Sequence, residues 1–263
     1  MVAGVLIFLT RPPVKTPPPD TGTVTLPAPA IPGKVIAVII DDFGHNARAA
    51  KPFIEMQLPV ALSFLPGLPH SRELAQEALG KGKTLLLHLP MEPMGYPQTD
   101  PGPGAVLTSQ EKGEILRILE EDLASLPGVA GVNNHMGSKA TADRRVMETV
   151  LSLVKEKGLF FIDSRTTAET VAFPLAREMG IPSAERSVFL DNVEDPGAID
   201  ARMEELLDLA EEKGWAIGIG HPYPLTAEAM SRLAFKARER GVNWITLENL
   251  LAYADSGNRD ILR

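Results

Sequence analysis

The sequence predicts one α/β domain closed as a (β/α)7-type barrel, and three observations predict it. From Val35 onward, short runs rich in Val, Ile, Leu and Phe alternate with longer segments of helical period. That alternation builds parallel strands covered by helices. The 263 residues, 44% hydrophobic and 23% charged, supply one large core, and barrels of this length form as single domains. Residues able to bind a metal or move a proton fall at the carboxyl ends of the expected strands, where parallel barrels assemble their sites. An open doubly wound sheet is the alternative arrangement; seven or eight units in strict alternation favour closure.

Before the barrel, Val2 to Leu9 is apolar, and eight prolines from Pro12 to Pro32 follow in a stretch without period. Residues 1–33 therefore read as a membrane-proximal stub and a semi-rigid extended linker. An anchor or signal remnant of this kind implies an extracytoplasmic protein, although the run is shorter than the roughly 20 residues that span a bilayer. The first strand, Val35 to Ile40, leads into Asp41-Asp42-Phe43-Gly44, and the second is Val60 to Phe64. Thr84 to His88 is the third. The Pro- and Gly-dense connection from Pro90 to Val106 that follows is long for a compact domain, which marks it as functional and sets it over the mouth of the site. Thr108 with Glu111 fits a capping box ahead of the stripe Ile115, Leu119, Leu123 and Leu126.

Val129 to Asn133 is the fourth strand, with His135 just beyond it and Val146, Val150 and Val154 on the next helix. Leu159 to Asp163 is the fifth, and Thr166 with Glu169 fits a second capping box. After the sixth strand, Ser187 to Leu190, Asp195-Pro196 makes an N-cap and first-turn pair for the stripe Ile199, Met203, Leu206 and Ala210. Trp215 to Gly220 runs into His221, and Trp244 to Leu247 is a last candidate strand. The barrel is expected over residues 34–255, with a tail over 256–263.

Composition removes several function classes. A net charge of −8 with no basic run argues against a nucleic-acid partner, because phosphate binding needs clustered Lys and Arg. No G-x-G-x-x-G follows a strand, so no dinucleotide fingerprint is present. The chain has no Cys, so a metal would be held by His and carboxylate groups, which suit zinc or a similar divalent ion.

The Asp41-Asp42 pair leaves a buried strand with its side chains on opposite sides, so the two carboxylates take different tasks. One suits a metal and the other a general base. His88 ends a run too apolar for an unpaired imidazole, and His135 sits among polar groups beside Gly137. Two His and one Asp leave positions open on a divalent ion, as in a catalytic site. His221 could protonate a leaving group, and Asp163 could orient it or sense the bound water. His45 is placed at the rim, and His70 at a helix start in solvent.

At these residues the sequence resembles the divergent polysaccharide deacetylases, distant relatives of the carbohydrate esterases that remove N-acetyl or O-acetyl groups from cell-wall sugars. The resemblance covers roughly Lys34 to Tyr253. Ile39-Ile40-Asp41-Asp42-Phe43-Gly44 is similar to a first motif whose first Asp is the base and whose second binds metal. Leu87-His88 matches the leading histidine of the second motif, while Glu92 stands where a further histidine belongs. The resemblance implies that His135 completes the Asp42, His88, His135 triad in its place. Asp163 and His221 resemble the fourth-motif Asp and fifth-motif His, and Asn133-Asn134-His135 occupies the region of the third motif without its Arg.

Three functions follow as expectations. The first is a metal-dependent hydrolase that removes acetyl groups from an envelope polysaccharide or peptidoglycan-type glycan. The second is glycoside hydrolysis by paired carboxylates such as Glu92 and Asp163, which requires a separation of about 5–10 Å. The third, motivated by the missing motif residues, is a glycan-binding or scaffold protein on the same barrel. Phe43, Tyr96, Tyr223 and Trp215 are the aromatic residues offered as sugar platforms near the mouth.

Overall fold

A computed structural model describes residues 33–256, and within them nine parallel strands form one sheet. The strands are β1 (Val35–Phe43), β2 (Val60–Phe64), β3 (Thr84–Met91), β4 (Gly131–Met136), β5 (Phe160–Asp163), β6 (Ser183–Glu185), β7 (Val188–Phe189), β8 (Trp215–Gly220) and β9 (Asn243–Trp244). Helices α1 (Ala47–Glu55), α2 (Ser71–Gly80), α3 (Lys112–Ser125), α4 (Arg144–Glu156), α5 (Ala172–Glu178), α6 (Pro196–Lys213), α7 (Pro224–Glu239) and α8 (Leu247–Ser256) follow successive strands. The sheet order is β6-β5-β4-β3-β2-β1-β8-β7, with β9 beside β1.

Only Arg186 and Ser187 separate the two ends of that order. The Arg186 amide donates to the Asp163 carbonyl on β5 at 2.9 Å, and the Ser187 amide donates to the Ile217 carbonyl on β8 at 2.9 Å. A single extended run thus pairs first with one neighbour and then with the other. It serves as the seventh stave of the expected (β/α)7 barrel. The expected strand Ser187 to Leu190 is its second half.

Alternation along the strands divides the core into two layers. Val35, Ala37 and Ile39 point inward with Ala61, Leu86, Ile162, Ala184, Ile217 and Ile219. Ile36, Val38 and Ile40 point outward to the helices, together with the expected stripe residues Ile115, Leu119, Val146, Val150, Ile199 and Met203. Each large aliphatic side chain so buried contributes about 1.5–3 kcal/mol. Leu247, Leu250 and Leu251 of α8 join the inner layer, and the Tyr253 hydroxyl donates to the Gly33 carbonyl at 2.9 Å. That helix closes the amino-terminal end, so the opposite end is the open mouth.

Some local expectations fail for identifiable reasons. No helix starts at the Thr108 capping box: α3 has Glu111 as N-cap without a side-chain bond, because the Thr108 hydroxyl donates instead to Glu92 at 2.7 Å. Thr166 is likewise drawn away, donating to the Met136 carbonyl at 2.7 Å, and α5 begins only at Ala172. Asp195 does cap α6, accepting from the Ala198 amide at 2.9 Å. The expected strand Trp244 to Leu247 stops at Trp244, since β9 borders Val35 and Ile36 and β2 occupies the neighbouring edge of β1 from Val38 onward.

The stub and linker expected over 1–33 lie, through residue 32, outside the described residues, as does the tail from 257. Among the described residues no helix is long and apolar enough to cross a membrane.

Candidate functional site

The inward positions change character one layer above the apolar core. Asp41, Ser63, His88 and Asn133 succeed Ile39, Ala61, Leu86 and Gly131 at alternate positions, and each is at most 3% exposed. A polar layer therefore sits directly on the hydrophobic one at the mouth.

Asp42 should point outward by the same alternation, and a bulge prevents it. Three steps of β1, from Ile40 to Phe43, oppose two of β2, from Leu62 to Phe64, and Asp42 takes a left-handed backbone with φ 60°. Phe43 anchors the bulge against Phe53 and Phe64, with ring centroids 6.1 and 5.1 Å away. Both carboxylates consequently reach His88: Nε2 lies 3.6 Å from Asp41 Oδ2 and 3.2 Å from Asp42 Oδ1. The sequence expectation of two carboxylates on opposite sides gives way to one shared cluster.

His135 Nδ1 lies 3.0 Å from Asp42 Oδ1 and 3.1 Å from His88 Nε2. Met136, the next residue, is also left-handed with φ 51°; its carbonyl accepts from Asn134 at 2.8 Å and from Thr166 at 2.7 Å. These bonds fix the turn that aims His135.

The network assigns the proton positions. Asn133 Nδ2 donates to Asp41 Oδ1 at 2.8 Å, so its Oδ1 faces His88 Nδ1 at 2.9 Å and accepts from the Ser63 hydroxyl at 2.5 Å. A neutral His88 then carries its proton on Nδ1 and turns the Nε2 lone pair toward Asp42. Asp42 Oδ1 is buried without a hydrogen-bond donor in that state. His135 Nδ1 faces both of these atoms, so the space between the three is filled either by a proton carried on an imidazole or by a metal cation.

Their spacing suits the cation. Ligands held at about 2.1 Å with tetrahedral to octahedral angles lie roughly 3.0–3.4 Å apart, and the observed separations are 3.0, 3.1 and 3.2 Å. Asp42, His88 and His135 thus form a candidate metal site of one oxygen and two nitrogen donors. Burial opposes ionisation of Asp42, but where His135 and His88 carry protons on the nitrogens that face it, their bonds and charge outweigh burial and hold the carboxyl well below the usual range. Burial is also the main influence on Asp41, and it raises that carboxyl.

His221 completes the cluster from β8, with Nε2 3.9 Å from Asp42 Oδ2. Its partner is Asp191, whose Oδ1 lies 2.7 Å from His221 Nδ1 and whose Oδ2 accepts from the His221 amide at 2.6 Å and from Thr226 at 2.7 Å. Burial lowers the imidazole's affinity for its proton, but the Asp191 bond and charge overcome this and raise its pKa to about 9.

Asp163, the expected orienting carboxylate, points elsewhere. Ile162 faces inward, so Asp163 faces the helix layer, where it accepts from the amides of Arg165 and Phe173 at 2.8 and 3.2 Å and from Thr170 at 2.8 Å. Asp191 holds the place next to His221 that the sequence reading gave to Asp163. Its signal was present, since it follows the strand Ser187 to Leu190 as Asp41 follows its own strand. Glu92 is equally engaged: Lys139 donates at 2.7 Å, and the Thr108 amide and hydroxyl donate at 2.6 and 2.7 Å. These bonds consume both carboxylates of the expected glycosidase pair.

A cavity of about 230 Å³ adjoins the cluster, with His45, Leu65, Leu68, Pro101, Pro103 and His135 in its wall. The Pro90 to Val106 connection therefore borders the mouth, as expected, and His45 stands on the rim. His70, at the N-cap of α2, is half-buried and not fully solvated. Tyr96 and Tyr223 are exposed, whereas Phe43 is buried and Trp215 lies at the far end of β8.

Comparisons with known proteins bear on the family and the fold. The profile of the family described as divergent polysaccharide deacetylase matches residues 38–251. A protein of Escherichia coli K12 named "Uncharacterized protein YibQ" is 32% identical over 212 residues, covering 81% of this chain and 66% of its own length. The chain thus spans just under two thirds of that relative. An uncharacterized protein from Agrobacterium tumefaciens C58 has a solved structure that superposes with a TM-score of 0.79 at 26% identity, over 83% of this chain and 89% of that one. Two more distant structures share the fold. The catalytic domain of a peptidoglycan N-acetylglucosamine deacetylase from Eubacterium rectale has a TM-score of 0.52 at 11% identity (85% and 93% covered). A CE4-family pseudoenzyme from Bacillus anthracis has a TM-score of 0.51 at 12% identity (84% and 66% covered).

Proposed function

We propose, on the premise that the chain belongs to the divergent polysaccharide deacetylase family, that it is a metal-dependent hydrolase removing acetyl groups from an envelope glycan of peptidoglycan type. The observation that carries this reading is the convergence of Asp42, His88 and His135, with Asp41 and the His221–Asp191 pair beside them. Asp42, His88 and His135 would hold one divalent ion, zinc by the chemistry of the donor set. When bound, that ion polarises the acyl carbonyl and acidifies water.

The chain's own groups supply the proton transfers. Asp41, buried and tethered by Asn133, accepts a proton from the attacking water. His221 donates a proton to the departing amine or alcohol, and Asp191 keeps it charged and oriented. Asn133 takes over the tethering task for which the family's third motif uses an Arg. The cavity beside His135 offers apolar room for the acyl group. An extracytoplasmic location belongs to the same proposal, since the substrate would lie in the envelope.

The test is acetate release from acetylated chitooligosaccharides, peptidoglycan fragments and an activated aryl acetate, with the zinc-loaded and the chelated protein compared. Turnover that needs zinc and exceeds that of Asp41→Asn is the expected result. Equal rates for loaded, chelated and Asp41→Asn proteins would remove the hydrolase reading and favour a glycan-binding role.

A further inference from the structure

A second cavity, of about 540 Å³, opens between β7 and α6 and is lined by Arg186, Phe189, Leu190, Ala201, Arg202 and Glu205, among others. Arg202 and Glu205 are bonded to each other, so that pair is neutral. Arg186 is different. Its Nε donates to the Ser164 carbonyl at 2.8 Å and one terminal nitrogen to the Arg165 carbonyl at 3.0 Å, while its plane lies 3.6 Å over the Phe189 ring. Among the described residues it forms no ion pair. The guanidinium is therefore half-buried, locked in one orientation and without an ion-pair partner in contact, the carboxylates of Asp163, Glu185 and Asp41 acting on it only from farther off, at the wall of an open cavity.

A fixed cationic fork of this kind is matched by a carboxylate, which would pair with it in direct contact without reorganising the arginine. The remaining wall, with Val193, Ala198 and Ala201, suits a carbon skeleton. The cavity also neighbours the reacting centre, because Phe189 stacks on His221 with ring centroids 6.3 Å apart and planes at 21°.

We infer that this cavity is a subsite for a glycan residue bearing a carboxylate, the carboxylate lying on Arg186 and the ring against Val193 and Ala201. A uronic acid is the simplest such residue. Its role beside a reacting sugar rests on the proposed function; its preference for a carboxylate rests on Arg186 alone.

The test is calorimetric titration of the full-length protein with an oligosaccharide that alternates uronic acid and N-acetylhexosamine, and with the same oligosaccharide after reduction of its carboxyl groups. The acidic form is expected to bind at least about tenfold more tightly, with the difference shrinking as salt screens the charge. Arg186→Gln should abolish the difference, and Ala201→Phe, which fills the cavity and spares the arginine, should weaken both ligands. Chelation of metal should leave the discrimination intact, so a protein that binds but does not turn over substrate would refute the hydrolase reading and not this subsite. Equal affinity for the two oligosaccharides, no binding of either, or full discrimination in a folded Arg186→Gln protein would overturn it. If Arg186→Gln does not fold, the reduced ligand and Ala201→Phe decide the matter.

Discussion

Asp42 holds a left-handed backbone that costs a non-glycine residue about 1 kcal/mol or more, and it retains this conformation because Phe43 on one side and the ladder to β8 through Ile40 on the other pin the bulge. Asp and Asn tolerate that region better than other residues. Asp42→Asn should accordingly keep the fold while losing the anionic ligand. In metal titrations followed by elemental analysis, Asp42→Ala, His88→Ala and His135→Ala are each expected to lower zinc affinity by more than the roughly 10–100-fold that loss of a supporting residue costs. Asn133→Ala should fall within that smaller range, and Asp41→Asn should retain the ion. Equal zinc loss in the Asp41 and Asp42 variants would erase their division of labour. The pH profile tests the other pair. Asp41 acts deprotonated, and burial places its pKa above the ordinary 3.8, so the rate rises with pH through a limb above that value. His221 acts protonated, so the rate falls as pH passes about 9. Asp191→Asn removes the bonded charge and should move the falling limb down toward the ordinary 6.5; an unmoved limb would assign it to another group. Asp41, Asp42, His88 and His221 were readable because each ends an apolar run, and His135 because it lies just past the carboxyl end of one among polar residues. Choosing between Asp163 and Asp191 required the inward phase of each strand, which Ile162 and Phe189 reveal only once the barrel is closed.

At the scale of elements, the strand cores were legible from their apolar runs, whereas the capping boxes competed with partners distant in sequence. Thr108 is sixteen residues from Glu92, and no local pattern announces that bond. Glu92 in turn ties the end of β3 to Lys139 and to the segment returning from the mouth loop. Glu92→Ala would leave the Thr108 amide without its acceptor. It is expected to cost about 1–3 kcal/mol in denaturant unfolding and to speed hydrogen exchange at Thr108. Asp195→Ala removes an N-cap that bonds to Ala198 and to neither Glu92 nor Thr108, so a loss of about 1 kcal/mol without faster exchange at Thr108 is expected. Similar exchange behaviour in the two variants would show that Glu92 does not tether the loop. Gly131 illustrates a constraint that periodicity does not reveal: a Cβ there would fall 2.1 Å from the Phe160 ring on the neighbouring strand.

Across the whole molecule, the barrel was readable from the count of strand and helix units, but the means of closure was not, because β6 and β7 are too short to leave separate hydrophobic runs. The amino-terminal end is sealed by α8 and by the Tyr253 bond to Gly33. A chain shortened to begin at Gly33 is therefore expected to melt within a few degrees of the full protein and to bind added zinc as tightly as the full protein does. A protein that no longer folds would place part of the domain before that residue. The two-residue passage from β6 to β7 carries a further consequence. Every other stave pairs with both neighbours along one stretch of chain, whereas this one pairs with β5 through its first half and with β8 through its second, so the covalent chain itself carries the circumference between them. The barrel's stagger is thus measured out in residues: one amino acid added between Glu185 and Val188, with β8 held in place by β1, would slip β7 by one step against β8, reversing which of its side chains face the lumen and taking Phe189 from beneath His221.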